Sequence, residues 1–582
     1  MSLVNPARPP MPPHTPSCSS CSKAASAFSD TVHASDLASI DSHEVTKPQK
    51  HSLSRLLFVH IGAAMTLFLA TTDSTIVSTS LPTIVSELHA TQSQYTWVGV
   101  AYMLTQTACQ PLYGRLSDLI GRKNVLYASM MIFALGSLLC GAAKSIMCLI
   151  IFRGLAGLGG GGIVSSVWVI TSEIVEPHKR AKWSQALSIT WSCSAIAGPI
   201  LGGLFSTGFS ATINWRWAFY MNLPVCLVAF LLLSLSLRNV TLGQAQHASW
   251  KSFAGKFDFL GLLLFMLGTS CLVIGFSFAM SNGWASPSTL LLVILGPVIL
   301  ICGGFYEVYT TREALFPPAA FKSLTVVIIL TVTFLHNFAF TAGTFYLALY
   351  FQAVNGMTPL QAGVQMLPYS LGSSLASMPA AWFIGFWQQR KNDTSGQKWT
   401  IVGGLLVSTL GFGLMITLRD ASPHIMQICF PLIAGIGVGL LFHAPYQVFV
   451  KALHPSQLAT GTSAFFLVRF TGATIGLAVA GMVFDRQLSH ALPIGYQIQG
   501  SSINWRLLSL IEPLSLRTEV LSAVALAIQS VWIVSAPLLG VALVISPFMK
   551  CFSVADTNHD ANQEKTLHNK SCIGSPQPQN EV

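Results

Sequence analysis

The chain has 582 residues, of which 52% are hydrophobic and 9% charged, whereas a soluble domain carries roughly 25% charged residues. This composition excludes an ordinary water-soluble domain and is that of a polytopic membrane protein. The formal charge of +10 is scattered over short loops and forms no single basic patch, which argues against a nucleic-acid partner and for contact with an anionic lipid leaflet.

Residues 1–52 are rich in Pro, Ser, Thr and His and hold no sustained apolar run, so they are expected to form a disordered cytosolic tail. The first long apolar run begins near Leu56, and no signal peptide is expected before it. Within the tail, Cys18 and Cys21 have C-x-x-C spacing but no second pair nearby, so no metal site is expected. Cys109, Cys140, Cys193, Cys226 and Cys271 lie inside apolar runs, where a thiol is a small hydrophobe, and no disulfide framework is implied.

Apolar runs follow near 55–84, 95–113, 125–143, 146–171, 183–205, 217–237, 258–280, 288–309, 325–353, 360–386, 400–418, 425–448, 458–484 and 523–549, which predicts fourteen membrane helices. Between the second and third stands GRLSDLIGRKNVL, Gly114 to Leu126, a tight membrane hairpin. Gly114 and Gly121 permit a sharp turn, Asp118 and Arg122 sit one helical turn apart and can pair, and Arg115, Arg122 and Lys123 hold the loop in the cytosol. The spacing G-x-L-x-D-x-x-G-R-K-x-x-L resembles the loop signature of the major facilitator superfamily, which joins the second and third membrane helices.

If that loop is cytosolic, every even-to-odd connection is too, and the basic residues agree. Lys179, Arg180 and Lys182 follow the fourth run, Arg238, Lys251 and Lys256 the sixth, Arg312 and Lys322 the eighth, and Arg390, Lys391 and Lys398 the tenth. The opposite connections carry little beyond Lys144, Arg216 and Arg419 until residues 485–522, read as an extracellular cap. The sequons at Asn239, Asn392 and Asn569 all fall on the cytosolic side and should be unused.

The fourth run carries GLGGGGIVSSVWVI and the twelfth GIGVGLLFHAPYQV, with glycines in step. Ser194, Gly198 and Gly202 in the fifth run match Gly472, Gly476 and Ala480 in the thirteenth. Helices 1–6 thus correspond to 9–14, giving bundles at 55–237 and 325–549, two inserted helices at 258–309, and a cytosolic tail at 550–582. The expected fold is an all-α polytopic membrane protein of the major facilitator type, with two pseudo-symmetric six-helix bundles plus two inserted helices.

Asp73 lies within the first run, in ATTDSTIVSTSLP, and a carboxylate in a membrane span is a functional-site hypothesis by default. The alternative is that the helix ends near Asp73, at the outer headgroups. Arg153 is the basic residue within the fourth run, about 10 Å from its outer end, and can share a depth with Asp73. A guanidinium there favours the charged carboxylate, so protonating Asp73 would weaken the pair and exchange a proton for a conformational change; the plainer role for Arg153 is to lock two helices together. The pattern Asp73, Thr75, Ile76, Val77, Leu81, Pro82 resembles the first-helix signature of the fourteen-helix drug:proton antiporters. Where that family reads R-x-x-Q-G-x-G, this chain has Ala156 in place of the glutamine.

The fifth run reads SAIAGPILGG, whose small residues make a flat face for close helix approach and whose Pro199 bends the helix. It is similar to the family's antiporter motif, with Ser194 replacing the first glycine, and Gly198, Pro199 and Gly202 are expected to seal against the other half. The stretches WRWAFYMNLPV (Trp215 to Val225) and FYLALYFQAVNGMTPLQAGVQMLP (Phe345 to Pro368) also look like those of the fourteen-helix subgroup.

Gln106, Gln110, His336, Asn337, Gln352, Gln365 and His443 are polar groups inside apolar helices, each needing a partner or water, and they are the candidate lining of a central substrate cavity. Gly159 to Gly162 is followed by no Lys-Ser and is not a phosphate loop. The resemblance implies a transporter and not an enzyme. It is expected to use the proton gradient with no cofactor, to be monomeric, and to export small amphipathic organic compounds across a fungal plasma or vacuolar membrane. An importer of the siderophore-carrier type and a transport-dead receptor or scaffold on the same fold are the alternatives.

Overall fold

A computed structural model of the protein describes residues 52–175, 180–207, 214–238, 240, 242, 257–310, 312, 323–391, 393–453, 458–492, 508 and 512–552. Its helices in chain order are α1 (Leu53–Glu87), α2 (Gln92–Ala108), α3 (Gln110–Ile120), α4 (Arg122–Ala142), α5 (Ile146–Ile174), α6 (Arg180–Ser206), α7 (Trp217–Tyr220), α8 (Asn222–Ser236) and α9 (Phe259–Asn282). There follow α10 (Pro287–Tyr309), α11 (Leu324–Leu349), α12 (Pro359–Gln365), α13 (Leu367–Lys391), α14 (Ser395–Met415), α15 (His424–Leu440), α16 (Ala444–Lys451), α17 (Leu458–Ala491) and α18 (Leu514–Ile545).

The apolar runs are helical, and polar side chains set several of their starts. Thr91 with Gln94 and Thr358 with Gln361 form reciprocal capping boxes at α2 and α12. Four runs are split in two, at Cys109, Met221, Met366 and Leu441 to His443, and a proline follows each break closely: Pro111, Pro224, Pro368 and Pro445. A proline has no N–H for the carbonyl four residues back, so the hydrogen-bond ladder breaks there.

Among the described residues, twelve helices are long and apolar enough to cross a membrane. The expected runs at 95–113 and 360–386 are not in that set. The first is divided between α2 and α3, and α13 carries buried Ser370, Ser373, Ser374 and Ser377, which lower its hydropathy. The last helices are also longer than expected, since α17 runs to Ala491 and α18 starts at Leu514, which shortens the connection placed at 485–522.

Packing follows the internal repeat. A Cβ on Gly157 or Gly159 of α5 would strike the backbone of Tyr102 in α2 or Phe133 in α4; one on Gly435 or Gly437 of α15 would strike Tyr369 in α13 or Ser408 in α14. In the same way α6 is seated on α1 and α17 on α11, where Gly472 and Gly476 meet the carbonyls of Phe334 and Phe338. Small residues let these backbones touch, which is how helices associate in lipid without a hydrophobic driving force between them.

The first six runs meet the last six along α2 with α17, α6 with α12 and α13, and α1 with α11. The two inserted helices lie at one side: α9 packs on α2 and α17, and α10 packs on α9. Leu291, Ile294, Ile301, Phe305 and Val308 of α10 are exposed, an apolar stripe suited to lipid. At the end of the chain, Phe552 N donates to Thr394 Oγ1 at 2.8 Å and Thr394 N to Phe552 O at 3.0 Å, so the end of the last helix lies beside the α13–α14 connection.

Candidate functional site

α1 continues past Asp73 to Glu87, so the carboxylate stands well inside the helix and not at its end. Its Oδ2 is paired with Arg153 Nη1 from α5, and both side chains are about 1% exposed or less. Arg153 Nε donates to Val98 O at 3.3 Å and Nη2 to Asp73 O at 3.3 Å, while its guanidinium carbon lies 4.3 Å from the Tyr102 ring centroid and 5.7 Å from that of Phe219. Asp73 Oδ1 accepts from Asn222 Nδ2 at 3.0 Å, and the same amide donates to Ser137 Oγ at 3.1 Å. One charge pair therefore ties together α1, α2, α4, α5 and the start of α8. Both charges are fully desolvated, an arrangement that persists only because each is paired and hydrogen-bonded.

Ser74 and Thr75, the next two residues of α1, face a different space. They line a central cavity together with Met103 and Gln106 of α2, Trp191 and Ser194 of α6, Asn337, Phe340 and Phe345 of α11, and Arg469 and Phe470 of α17. Arg469 is 5% exposed; its Nε donates to Asn337 Oδ1 at 3.2 Å, and its guanidinium carbon lies 4.1 Å from the Trp191 ring centroid.

The halves touch on both sides of this cavity. On the side of the Gly121 loop, Ser165 Oγ lies 3.2 Å from Ser463 Oγ, and the Trp168 and Tyr446 rings meet edge to face at 4.9 Å. On the other side, Gln352 Nε2 donates to Thr79 O at 3.1 Å, and Gly203 and Gly363 bring α6 and α12 into backbone contact. The halves are thus in contact on both sides of the cavity.

The hairpin between α3 and α4 turns at Gly121 alone, whose φ of 93° favours glycine. Gly114, expected to share the turn, is inside α3, where its carbonyl accepts from Ser117 Oγ at 2.6 Å. Arg122 Nε donates to Glu173 Oε1 at the end of α5 at 2.9 Å, and Nη1 to Ser117 Oγ at 2.7 Å. The Asp118 side chain, the expected partner of Arg122, lies outside the described residues, as do the asparagines of the three sequons.

The model of the family described as Major Facilitator Superfamily matches residues 63–477. The chain belongs to the major facilitator superfamily. An uncharacterized MFS-type transporter of Schizosaccharomyces pombe is 33% identical over 500 residues, covering 85% of this chain and 82% of that protein. The efflux pump dotC of Dothistroma septosporum is 32% identical over 431 residues, covering 74% of this chain and 71% of its own. Among solved structures, a bacterial homolog of the human lysosomal transporter Spinster, inward-facing and unoccupied, superposes with a TM-score of 0.54 at 14% identity, over 85% of this chain and 97% of that one. That likeness shows the fold, and the family makes the protein a multi-pass membrane transporter and not an enzyme.

Of the polar residues proposed for a cavity in this transporter, Gln106 and Asn337 line it. The others are elsewhere. His336 is buried behind Asn337, whose Nδ2 lies 3.3 Å from its Nδ1; Gln352 ties α1 to the end of α11; His443 accepts from Gln447 Nε2 at 2.6 Å at the break before α16. Gln110 is buried where α3 begins, and neither of its side-chain polar atoms finds a partner among the described residues.

The face on α6 also needs correction. A Cβ on Gly198 would strike Thr75, and one on Gly202 the carbonyl of Ile76, so both seat α6 on α1 within the same half. Residues one position further on face the other half: Gly203 abuts Pro359, and Gly363 abuts the Pro199 carbonyl. One residue turns about 100° around a helix, which is why neighbours in one motif serve two interfaces. At the Ala156 departure α4 and α5 approach closely, since a Cβ on Gly136 of α4 would strike the Ala156 backbone.

Two residues escaped the sequence reading. Asn222 was visible as the asparagine inside WRWAFYMNLPV, and Arg469 as a cation inside the apolar stretch SAFFLVRFTGATIGLAVAG, the signal that had singled out Arg153.

Proposed function

We propose that the protein is a proton-driven antiporter of the fourteen-helix drug:proton type, exporting small amphipathic organic compounds as a monomer in a fungal plasma membrane. The efflux pump among its relatives supports export. The observation that carries the reading is the dry Asp73–Arg153 pair, set one residue from the cavity wall at Ser74.

A proton arriving at Asp73 would neutralise the acceptor and leave Arg153 as an unpaired buried cation, a state costly enough to drive helix movement. α1 carries both the carboxylate and part of the cavity lining, and its backbone is packed directly on α6 through Gly198 and Gly202. Movement at the ion pair is thereby transmitted to the wall of the cavity and, through Pro199 and Gly203, to the contact with α12. The contacts between the halves on both sides of the cavity would limit leakage of protons and substrate past each other.

The test is dye export by yeast lacking its own pumps. Expression of the protein should lower accumulation of at least one member of a panel of charged and neutral dyes, and a protonophore should abolish the difference. Export that persists after the gradient is collapsed would contradict proton coupling, and unchanged accumulation of every dye would contradict export.

A further inference from the structure

Arg469 is the single charged residue among those lining the central cavity, and no carboxylate lines it. Among the described residues no acid forms an ion pair with it, and the one hydrogen bond of its guanidinium is Nε to Asn337 Oδ1, which leaves both Nη groups without an acceptor. The side chain is 5% exposed, so water does little to offset its charge. Asp73, the acid nearest to the cavity wall in the sequence of α1, is turned to Arg153 and committed there. Around the guanidinium stand Trp191 at 4.1 Å, Phe442 at 5.6 Å and Phe466 at 6.0 Å from carbon to ring centroid, with Phe340, Phe345 and Phe470 on the remaining wall.

A buried guanidinium with both Nη groups free on one edge matches a carboxylate, which accepts two parallel N–H bonds from one arginine. The aromatic wall matches a flat apolar body attached to it. The same charge, unscreened, repels an organic cation. We propose that the substrates of this transporter are aromatic or otherwise apolar organic anions, with the carboxylate seated on Arg469 and oriented by Asn337. This deepens the export reading and rests on the central cavity being the transport site.

The probe is radiolabelled benzoate, measured on the purified full-length protein by scintillation proximity, with unlabelled benzoate, benzamide and benzylamine as competitors of matched shape and different charge. Wild type should bind benzoate saturably. Benzoate should displace it, while benzamide and benzylamine at the same concentration should not. Arg469→Gln should lose roughly 10- to 100-fold in affinity, the worth of a charge-assisted hydrogen bond, and Arg469→Lys should fall between.

No saturable benzoate binding, equal competition by benzylamine, or unchanged affinity in a folded Arg469→Gln protein would each overturn the assignment. The charge series is read on wild type alone, so a variant that fails to fold leaves the test intact. Export of rhodamine 6G by a protein that binds no benzoate would sink the anion assignment and leave export standing. Benzoate binding without export of any dye would do the reverse.

Discussion

Asn222 Nδ2 donates to Asp73 Oδ1 at 3.0 Å, which completes a carboxylate whose other oxygen is held by Arg153. The carboxylate has no exposed edge, and the amide is itself anchored through Ser137. Without that third partner the second carboxylate oxygen would be buried with no donor. Asn222 Nδ2 can keep donating to Asp73 Oδ1 when the arginine lets go, whether or not the other oxygen carries a proton.

The energetic weight of this pair follows from its burial. Arg153→Ala leaves the carboxylate without its cation and should cost about 3–5 kcal/mol. Asp73→Asn/Arg153→Ala, which removes both charges, should cost less than the two single changes together. Thermal unfolding of the four proteins in one detergent reads this directly, and additive losses would mean that the two side chains do not interact.

Neighbouring glycines on α6 should fail in different ways. Gly198→Leu drives a side chain into Thr75 of α1 and should lower folded yield. Gly203→Leu meets the Pro359 carbonyl of α12 at the contact between halves, so the protein should fold but hold the halves apart on that side. A cysteine placed at Ser194 in the cavity should then react faster with an impermeant maleimide added outside. Equal labelling with and without Gly203→Leu would remove the α6–α12 contact from gating.

Closure on the opposite side can be locked. Ser165 Oγ and Ser463 Oγ are 3.2 Å apart, so Ser165→Cys with Ser463→Cys in a cysteine-free background should form a disulfide on oxidation. Transport should stop and return on reduction. Full transport in the cross-linked protein would show that these helices never separate.

Much of this was legible in the sequence because membrane helices are written as long apolar runs and intramembrane charges are rare. The runs all became helices, and Asp73 and Arg153 stand out by the cost of a charge in hydrocarbon. Rotation about each helix axis was not legible. Gly198 and Gly203 belong to one motif, yet one faces α1 and the other α12. Gln352 and His443 are polar for other reasons, because the first bonds a backbone carbonyl of α1 across the halves and the second a glutamine one turn on, instead of facing the cavity. Such assignments depend on which partner a helix meets, and no spacing within a single helix encodes the partner.

The orientation of the chain gives a simple check. The end of α18 lies beside the α13–α14 connection through Phe552 and Thr394, on the side assigned to the cytosol by the basic residues after α3. Glycosidase treatment should leave gel mobility unchanged. A shift abolished by Asn392→Gln would invert the assignment.

Proton coupling through Asp73 is tested most directly by proton release on substrate addition. The purified protein is placed in weakly buffered detergent solution with a pH indicator, and a dye shown to be exported is added to wild type and to Asp73→Asn. Asparagine keeps the size of the aspartate and one of its two acceptor oxygens but has no proton to exchange. At a pH low enough for Asp73 to start protonated, wild type should release protons in proportion to the substrate bound, and Asp73→Asn should bind the same dye with release at the background level. Equal proton release by the two proteins would contradict the account and take Asp73 out of the coupling step.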